Sequence, residues 1–286
     1  MSALDELFAR TRAEHRAALI GYLPAGFPSY DGAVTALRAI VAAGVDAVEV
    51  GLPYSDPVLD GPTIVAAVDA ALACGTRPRD VLDTVAAVAA TGAPVGAARE
   101  AADATSTPGA PALVMTYWNP VERYGAARFA ADLAAAGAAG AIVPDLPPEE
   151  AADWVAATAA SGVDPVFLVA PSSSEARIAR VAAISRGFLY AASTMGVTGA
   201  RSSVGERAAD LVARCRRHTD LPVAVGLGVS SGAQAAEVAA YADGVIVGSA
   251  FVHRLLAAPD EDAAIRSAAE LAAELAGGVR AGRHRG

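Results

Sequence analysis

Glu49 and Asp60 are the two carboxylates whose settings suit acid–base chemistry. Glu49 lies in Asp46–Val50, a short apolar run that reads as a strand. Side chains alternate along a strand, so Ala47 and Glu49 share one face and Val48 and Val50 the other. If the valines pack against helices, Glu49 points into the middle of the fold. A carboxylate there is expensive to leave unpaired, so it is either salt-bridged or functional. Asp60 opens Asp60-Gly61-Pro62, which is equally good turn chemistry, with Pro62 at a first helical position. Asp56-Pro57 reads as a turn alone. Asp145, in Val143-Pro144-Asp145-Leu146-Pro147, is either a helix-start group or a site wall.

A second set of residues suits an anion. Three late candidate strands are followed by Ser193-Thr194-Met195-Gly196-Val197-Thr198-Gly199-Ala200, by Gly226-Leu227-Gly228-Val229-Ser230-Ser231 and by Val247-Gly248-Ser249-Ala250. Glycines let the backbone approach an anion, and successive N–H groups then donate to it. Ser249 adds a hydroxyl at a helix start. Three such junctions in this order point to a phosphate ligand.

What is missing narrows the chemistry further. All 22 basic residues are arginine, so a Schiff base, a covalent pyridoxal phosphate site and a Walker A loop are excluded. His15, His218, His253 and His284 are scattered, and no metal site is expected. Cys74 and Cys215 lie far apart in helical stretches, which suggests inert thiols in a reducing compartment. The net charge of −9 disfavours nucleic acid as a partner. Mean hydropathy is +0.38, but much of it is alanine, and no apolar run reaches the ~20 residues that span a bilayer. The N-terminus reads as a charged amphipathic helix and not as a secretory signal, so a cytoplasmic protein without a membrane partner is expected.

The elements that must position these groups alternate. Candidate strands are Ala18–Leu23, Asp46–Val50, Ala112–Thr116, Gly140–Val143, Pro165–Val169, Phe188–Ala192, Pro222–Val225 and Gly244–Val247. Helical stretches follow them, among them Pro62–Ala73, Arg79–Thr91, Pro148–Ala160, Ser174–Ser185 and Ser230–Tyr241. Eight strands with helical crossovers predict a (β/α)8 TIM barrel, here a single α/β domain over residues 1–286 with an N-terminal helix. Gly92–Pro111 reads as an irregular insert and Arg280–Gly286 as a frayed tail. In such a barrel, function sits where the strands end at their C-termini.

Glu49-Val50-Gly51-Leu52-Pro53-Tyr54-Ser55-Asp56-Pro57, continued by Asp60-Gly61-Pro62-Thr63, resembles the signature of the tryptophan synthase alpha subunit. So do Met115-Thr116-Tyr117-Trp118-Asn119-Pro120, Pro144-Asp145-Leu146-Pro147 and Gly196-Val197-Thr198-Gly199. The resemblance runs from about Leu19 to His253. It implies a lyase that cleaves indole-3-glycerol phosphate to indole and D-glyceraldehyde 3-phosphate. It makes Glu49 the general acid–base group and places Asp60 on the indole N–H. Gly199, Gly228, Gly248 and Ser249 would hold the phosphate. Tyr22, Val114, Ile142, Leu168, Tyr190 and Leu227 would line the indole pocket. Thr198 is expected to reach Asp60 from a loop, Ser193–Ser203, that packs weakly in the empty site. The resemblance also implies a beta-subunit partner in an alpha2beta2 heterotetramer. Pyridoxal phosphate would belong to that subunit alone, and Tyr117–Tyr124 is a candidate contact. Two departures stand out: Leu59, where a small residue is usual, and the length of the insert.

The chemistry agrees with the resemblance. A retro-aldol cleavage needs an electron sink, and without a lysine imine or a metal site the substrate must supply it. An indole protonated at C3 does so, with one carboxylate moving protons and a second stabilising charge at the ring nitrogen. Two other readings stay open. Other phosphate-binding barrels, such as isomerases of histidine or tryptophan biosynthesis, use different acid–base pairs. A non-catalytic barrel that only regulates a partner would have no need of Glu49 and Asp60.

Overall fold

The computed structural model describes residues 1–89, 109–193 and 201–282, with backbone alone for 201–204. Most of the expected insert, the residues Thr198 and Gly199, and the tail from residue 283 lie outside the described residues. Arg280 and Ala281, expected to fray, instead close the last helix.

The strands are β1 (Ala18–Pro24), β2 (Ala47–Gly51), β3 (Ala112–Met115), β4 (Gly140–Ile142), β5 (Asp164–Val166), β6 (Leu168–Val169), β7 (Leu189–Ala192), β8 (Val223–Gly226) and β9 (Gly244–Val247). All pair in parallel, in the order β5-β4-β3-β2-β1-β9-β8-β7-β6. The run Pro165–Val169, expected as one strand, is divided at Phe167. Its first half bonds to β4 and its second to β7, and the Phe167 carbonyl accepts the Tyr190 N–H at 3.1 Å. One stretch of chain thus serves both neighbours. The nine strands occupy the eight positions of a TIM barrel.

The helices are α1 (Ala3–Ala13), α2 (Tyr30–Ala42), α3 (Pro62–Ala73), α4 (Pro78–Ala89), α5 (Trp118–Tyr124), α6 (Ala126–Ala135), α7 (Ala152–Ser161), α8 (Glu175–Ile184), α9 (Arg201–Cys215), α10 (Gly232–Ala239), α11 (Ser249–Ala257) and α12 (Glu261–Ala281). α3 starts where its residues dictate: Gly61 is the N-cap and Pro62 fills the first turn, where a missing N–H costs nothing. None of the described helices is long and apolar enough to cross a membrane. Both cysteines are free; Cys74 is exposed at the end of α3, while Cys215 is buried.

Two layers of packing follow from the alternation. Leu19 and Leu23, Val48 and Val50, and Val225, Val245 and Val247 belong to the larger apolar cluster that the helices cover. Inside the barrel lie Ala18, Ile20, Ala47, Leu113, Ile142, Val166, Phe188, Ala224 and Ile246. That inner layer is completed from below by Leu4, Leu7 and Phe8 of α1, with the Phe8 and Phe188 rings 5.7 Å apart. α1 is fastened at its start by a capping box: the Asp5 N–H donates to Ser2 Oγ and the Ser2 N–H to Asp5 Oδ2. At its far end, Arg16 makes two bonds to Asp46, at 2.6 and 2.8 Å, and Asp46 also accepts the Leu19 N–H. Phe8→Ala is expected to cost about 3–5 kcal/mol, because the barrel wall cannot collapse into the space left. Urea unfolding measures it, and an unchanged midpoint would mean that α1 is an ornament on a self-sufficient barrel.

Candidate active site

Glu49 sits mid-way along β2, in register with Tyr22 on one side and Leu113 on the other. Its neighbours Val48 and Val50 face the helices, so its carboxyl group projects into the barrel. Only 1% of the residue is exposed, and Oε1 has no hydrogen-bond partner. Burial alone pushes its pKa up to about 8. Of the two readings open for this residue, the salt bridge fails: among the described residues no arginine pairs with it.

Tyr22 and Tyr190 flank Glu49. Tyr22 is buried and Tyr190 partly so, and both phenols are held well above their ordinary pKa, first by desolvation and then by nearby negative charge, Glu49 included. Asp60 also acts on Tyr22, so one ring stands near both carboxylates. The rings lie where neighbouring strands end in glycine. A Cβ on Gly51 would collide with the Tyr22 hydroxyl, and one on Gly226 would lie 2.6 Å from the Tyr190 hydroxyl. These two glycines give the aromatic walls their room.

Asp60 is partly exposed at the end of the loop between β2 and α3. Desolvation raises its pKa, and a hydrogen bond from the Tyr117 side chain opposes that rise. The Tyr117 hydroxyl also accepts the Leu59 N–H at 3.1 Å. Tyr117 is only 5% exposed, and its own pKa is pushed up to about 12, chiefly by burial. It opens the Tyr117–Tyr124 stretch expected as a partner contact, and its hydroxyl turns to the Leu59–Asp60 loop. The direction of a turn side chain is a tertiary matter that the motif alone leaves open. Leu59 does not crowd Asp60. Its side chain is 58% exposed, beside Val58 at 71%, so the departure adds apolar surface at the mouth.

The expected pocket lining is largely on the inner face. Ile142 is buried in the inner layer, with Leu168 and Tyr190 packed against it, and Leu227 follows β8 partly buried. Val114 is a correction. It pairs with Val50, not Glu49, and shares the helix-facing cluster. Met115, which pairs with Gly51, packs against the inner layer as well as the outer one and takes the inward position by alternation from Leu113.

For an anion, the late loops differ in what they leave free. Ser231 caps α10 with its own side chain. α11 begins at Ser249 behind Gly248, with no side-chain cap, so its first amides are open to a ligand. Gly248 lies against the Tyr22 ring, where an added Cβ would be 3.3 Å from Cδ1. Gly228 adopts a φ of +69° and is exposed nearby in sequence. A cavity of 780 Å³ is lined by residues of α11 and α12 together with Thr63 of α3 and Ser230, and includes Ser249, His253 and Arg254. No acidic side chain lines it, and its Ser249 hydroxyl and Arg254 suit an anion more than a proton transfer. Among the described residues no group of three His, Cys, Asp or Glu side chains is placed to hold a metal.

The family description "Tryptophan synthase alpha chain" matches residues 8–280. The tryptophan synthase alpha chain of Thermobifida fusca is 55% identical over 284 residues, covering 98% of this chain and 99% of its own. That of Streptomyces avermitilis is 56% identical over 279 residues, covering 98% and 95%. A crystal structure of Mycobacterium tuberculosis tryptophan synthase superposes with a TM-score of 0.85 at 51% identity, over 98% of each chain. The alpha subunit from Legionella pneumophila gives 0.83 at 29% identity, again over 98% of each. This chain belongs to the tryptophan synthase alpha chain family.

Proposed function

We propose that Glu49 moves both protons of the cleavage and that Asp60 steadies the charge at the indole nitrogen. The reaction is the family's: indole-3-glycerol phosphate is split to indole and D-glyceraldehyde 3-phosphate, a lyase step of L-tryptophan biosynthesis. The burial of Glu49 carries the assignment of roles. With a pKa near 8 it holds a proton at neutral pH and can act first as an acid. It gives that proton to C3 of the indole, leaving a cation centred on the ring nitrogen. Asp60 accepts the hydrogen bond from that N–H and offsets the growing charge. The Glu49 carboxylate then takes the proton of the side-chain hydroxyl adjoining C3. As that oxygen becomes a carbonyl, the C–C bond breaks and its electrons neutralise the ring. Glu49 ends protonated, as it began.

Tyr22, Ile142, Leu168, Tyr190 and Leu227 would enclose the indole, with Met115 in place of Val114. The phosphate would take the open amides of Gly248 and Ser249 at α11, with Gly228 and the loop carrying Thr198 and Gly199. Supporting this, a Cβ on Gly248 would lie 3.3 Å from Cδ1 of Tyr22, so the anion end lies beside the ring end. The partner is a tryptophan synthase beta subunit, in an alpha2beta2 assembly in the cytoplasm. Val58 and Leu59, exposed beside the mouth, offer it an apolar contact. No cofactor is assigned to this chain, and pyridoxal phosphate is assigned to the beta subunit.

The test is direct. The pure protein, incubated with indole-3-glycerol phosphate, should release indole, and faster with a beta subunit present. Release should survive both EDTA and borohydride, since the chain has no lysine to form an imine. Activity lost on chelation and restored by a divalent metal would overturn the metal-free mechanism.

A further inference from the structure

We infer that Asp145 is a positioning residue for the cleavage: it anchors the start of α5, which aims the Tyr117 hydroxyl at Asp60. The inference rests on the role of Asp60 proposed above.

Asp145 does not begin its own helix. α7 starts seven residues later behind Ala151, with no side-chain cap. Instead Asp145 Oδ1 accepts the N–H of Trp118, the first residue of α5, at 2.8 Å. The N-cap of α5 is Tyr117, which makes no side-chain cap bond. A short polar side chain at that position would normally serve the first turn itself. Here the neighbouring loop serves it, and the cap residue's long side chain is left for the barrel mouth.

That short turn carries the β2–α3 loop at two points. The Tyr117 hydroxyl accepts the Leu59 N–H at 3.1 Å, and Asn119 Nδ2 donates to the Tyr54 hydroxyl at 2.7 Å. The Tyr54 and Tyr117 rings are 5.5 Å apart. Asp145 is itself held stiffly, between Pro144 and the buried Leu146, with Pro147 and Pro148 beyond. A line of contacts therefore runs from the β4 loop through the backbone of α5 to Tyr117 and on to Asp60. Asp145 never meets the substrate on this line; it fixes what does.

Steady-state cleavage by Asp145→Ala, Asp145→Asn, Tyr117→Phe and the Asp145→Ala/Tyr117→Phe pair tests this. Asp145→Ala should lower kcat about tenfold, the order of a lost cap, and move KM less than about twofold. Asp145→Asn keeps an oxygen for the Trp118 N–H and should recover most of the rate. The double variant should be no slower than Tyr117→Phe, because both changes break one line. Should Asp145→Ala not fold, Asp145→Leu removes the acceptor while keeping the branched shape at a position that is exposed and has room for it. A wild-type kcat in the variant lacking the acceptor, additive losses in the pair, or failure of Asn to rescue each overturns the inference. A fully active Asp60→Asn enzyme overturns it together with the role of Asp60, whereas a crippled Asp60→Asn beside a normal Asp145→Ala overturns it alone.

Discussion

Glu49→Gln is expected to lower indole release by about 10⁴-fold and at the same time to make the protein harder to unfold. Both effects come from one burial. The amide fills the same space but can neither give nor take the proton, so both chemical steps fail. The folded protein holds the Glu49 proton up to about pH 8, against 4.5 for the ordinary group. A carboxyl whose pKa is raised by folding stabilises the fold fully only below its unfolded value. That contribution is lost as pH rises from 4.5 through 8, at roughly 1.4 kcal/mol per pH unit. Glutamine never ionises and escapes the loss. The melting temperatures of the two proteins should therefore coincide near pH 4 and diverge up to pH 8, with the variant higher. Wild-type kcat/KM should fall over the top of that range, as the acid form of Glu49 disappears. Near-normal turnover by the variant would remove Glu49 from the mechanism, and parallel melting curves would mean that the carboxyl is better solvated than its surroundings imply.

Asp60→Asn should cost about 10²–10³-fold in kcat, with a smaller change in KM. Asparagine keeps the shape and can still accept from Tyr117, so the loop should hold its place. It cannot oppose a positive charge that appears on the indole nitrogen only as C3 is protonated. The loss therefore belongs to the transition state and not to binding. Circular dichroism should be unchanged. Full activity would return Asp60 to the turn-forming part that Asp60-Gly61-Pro62 also suits.

How much of this was legible in the residues depends on what fixes each side chain. Glu49 was placed by alternation, because valines on both sides leave the carboxylate a single direction. Pro62 marked the start of α3. On β3, alternation is silent: Leu113, Val114 and Met115 are all apolar, as a strand covered on both faces allows. Only the pairing with β2 shows that Val114 turns outward. The division at Phe167 was hidden for a similar reason, since the run is apolar throughout and its partners change midway. Asp145 and Tyr117 escaped because each acts across a loop boundary: a carboxylate after β4 caps a helix after β3. No local pattern encodes that meeting, though the motifs marked both loops.

The floor of the barrel has a consequence for synthesis. Leu4, Leu7 and Phe8 share a packed cluster with Phe188, Ala224 and Ile246, which follow them in the chain by 180 residues or more. At roughly 5–20 residues per second, the ribosome takes about 10–50 s to supply the last of these. Over that interval the seat of three large apolar side chains is incomplete, and β1 has no β9 to pair with. The barrel closes only when Gly244–Val247 is available, so α1, made long before it, is among the last elements to be docked.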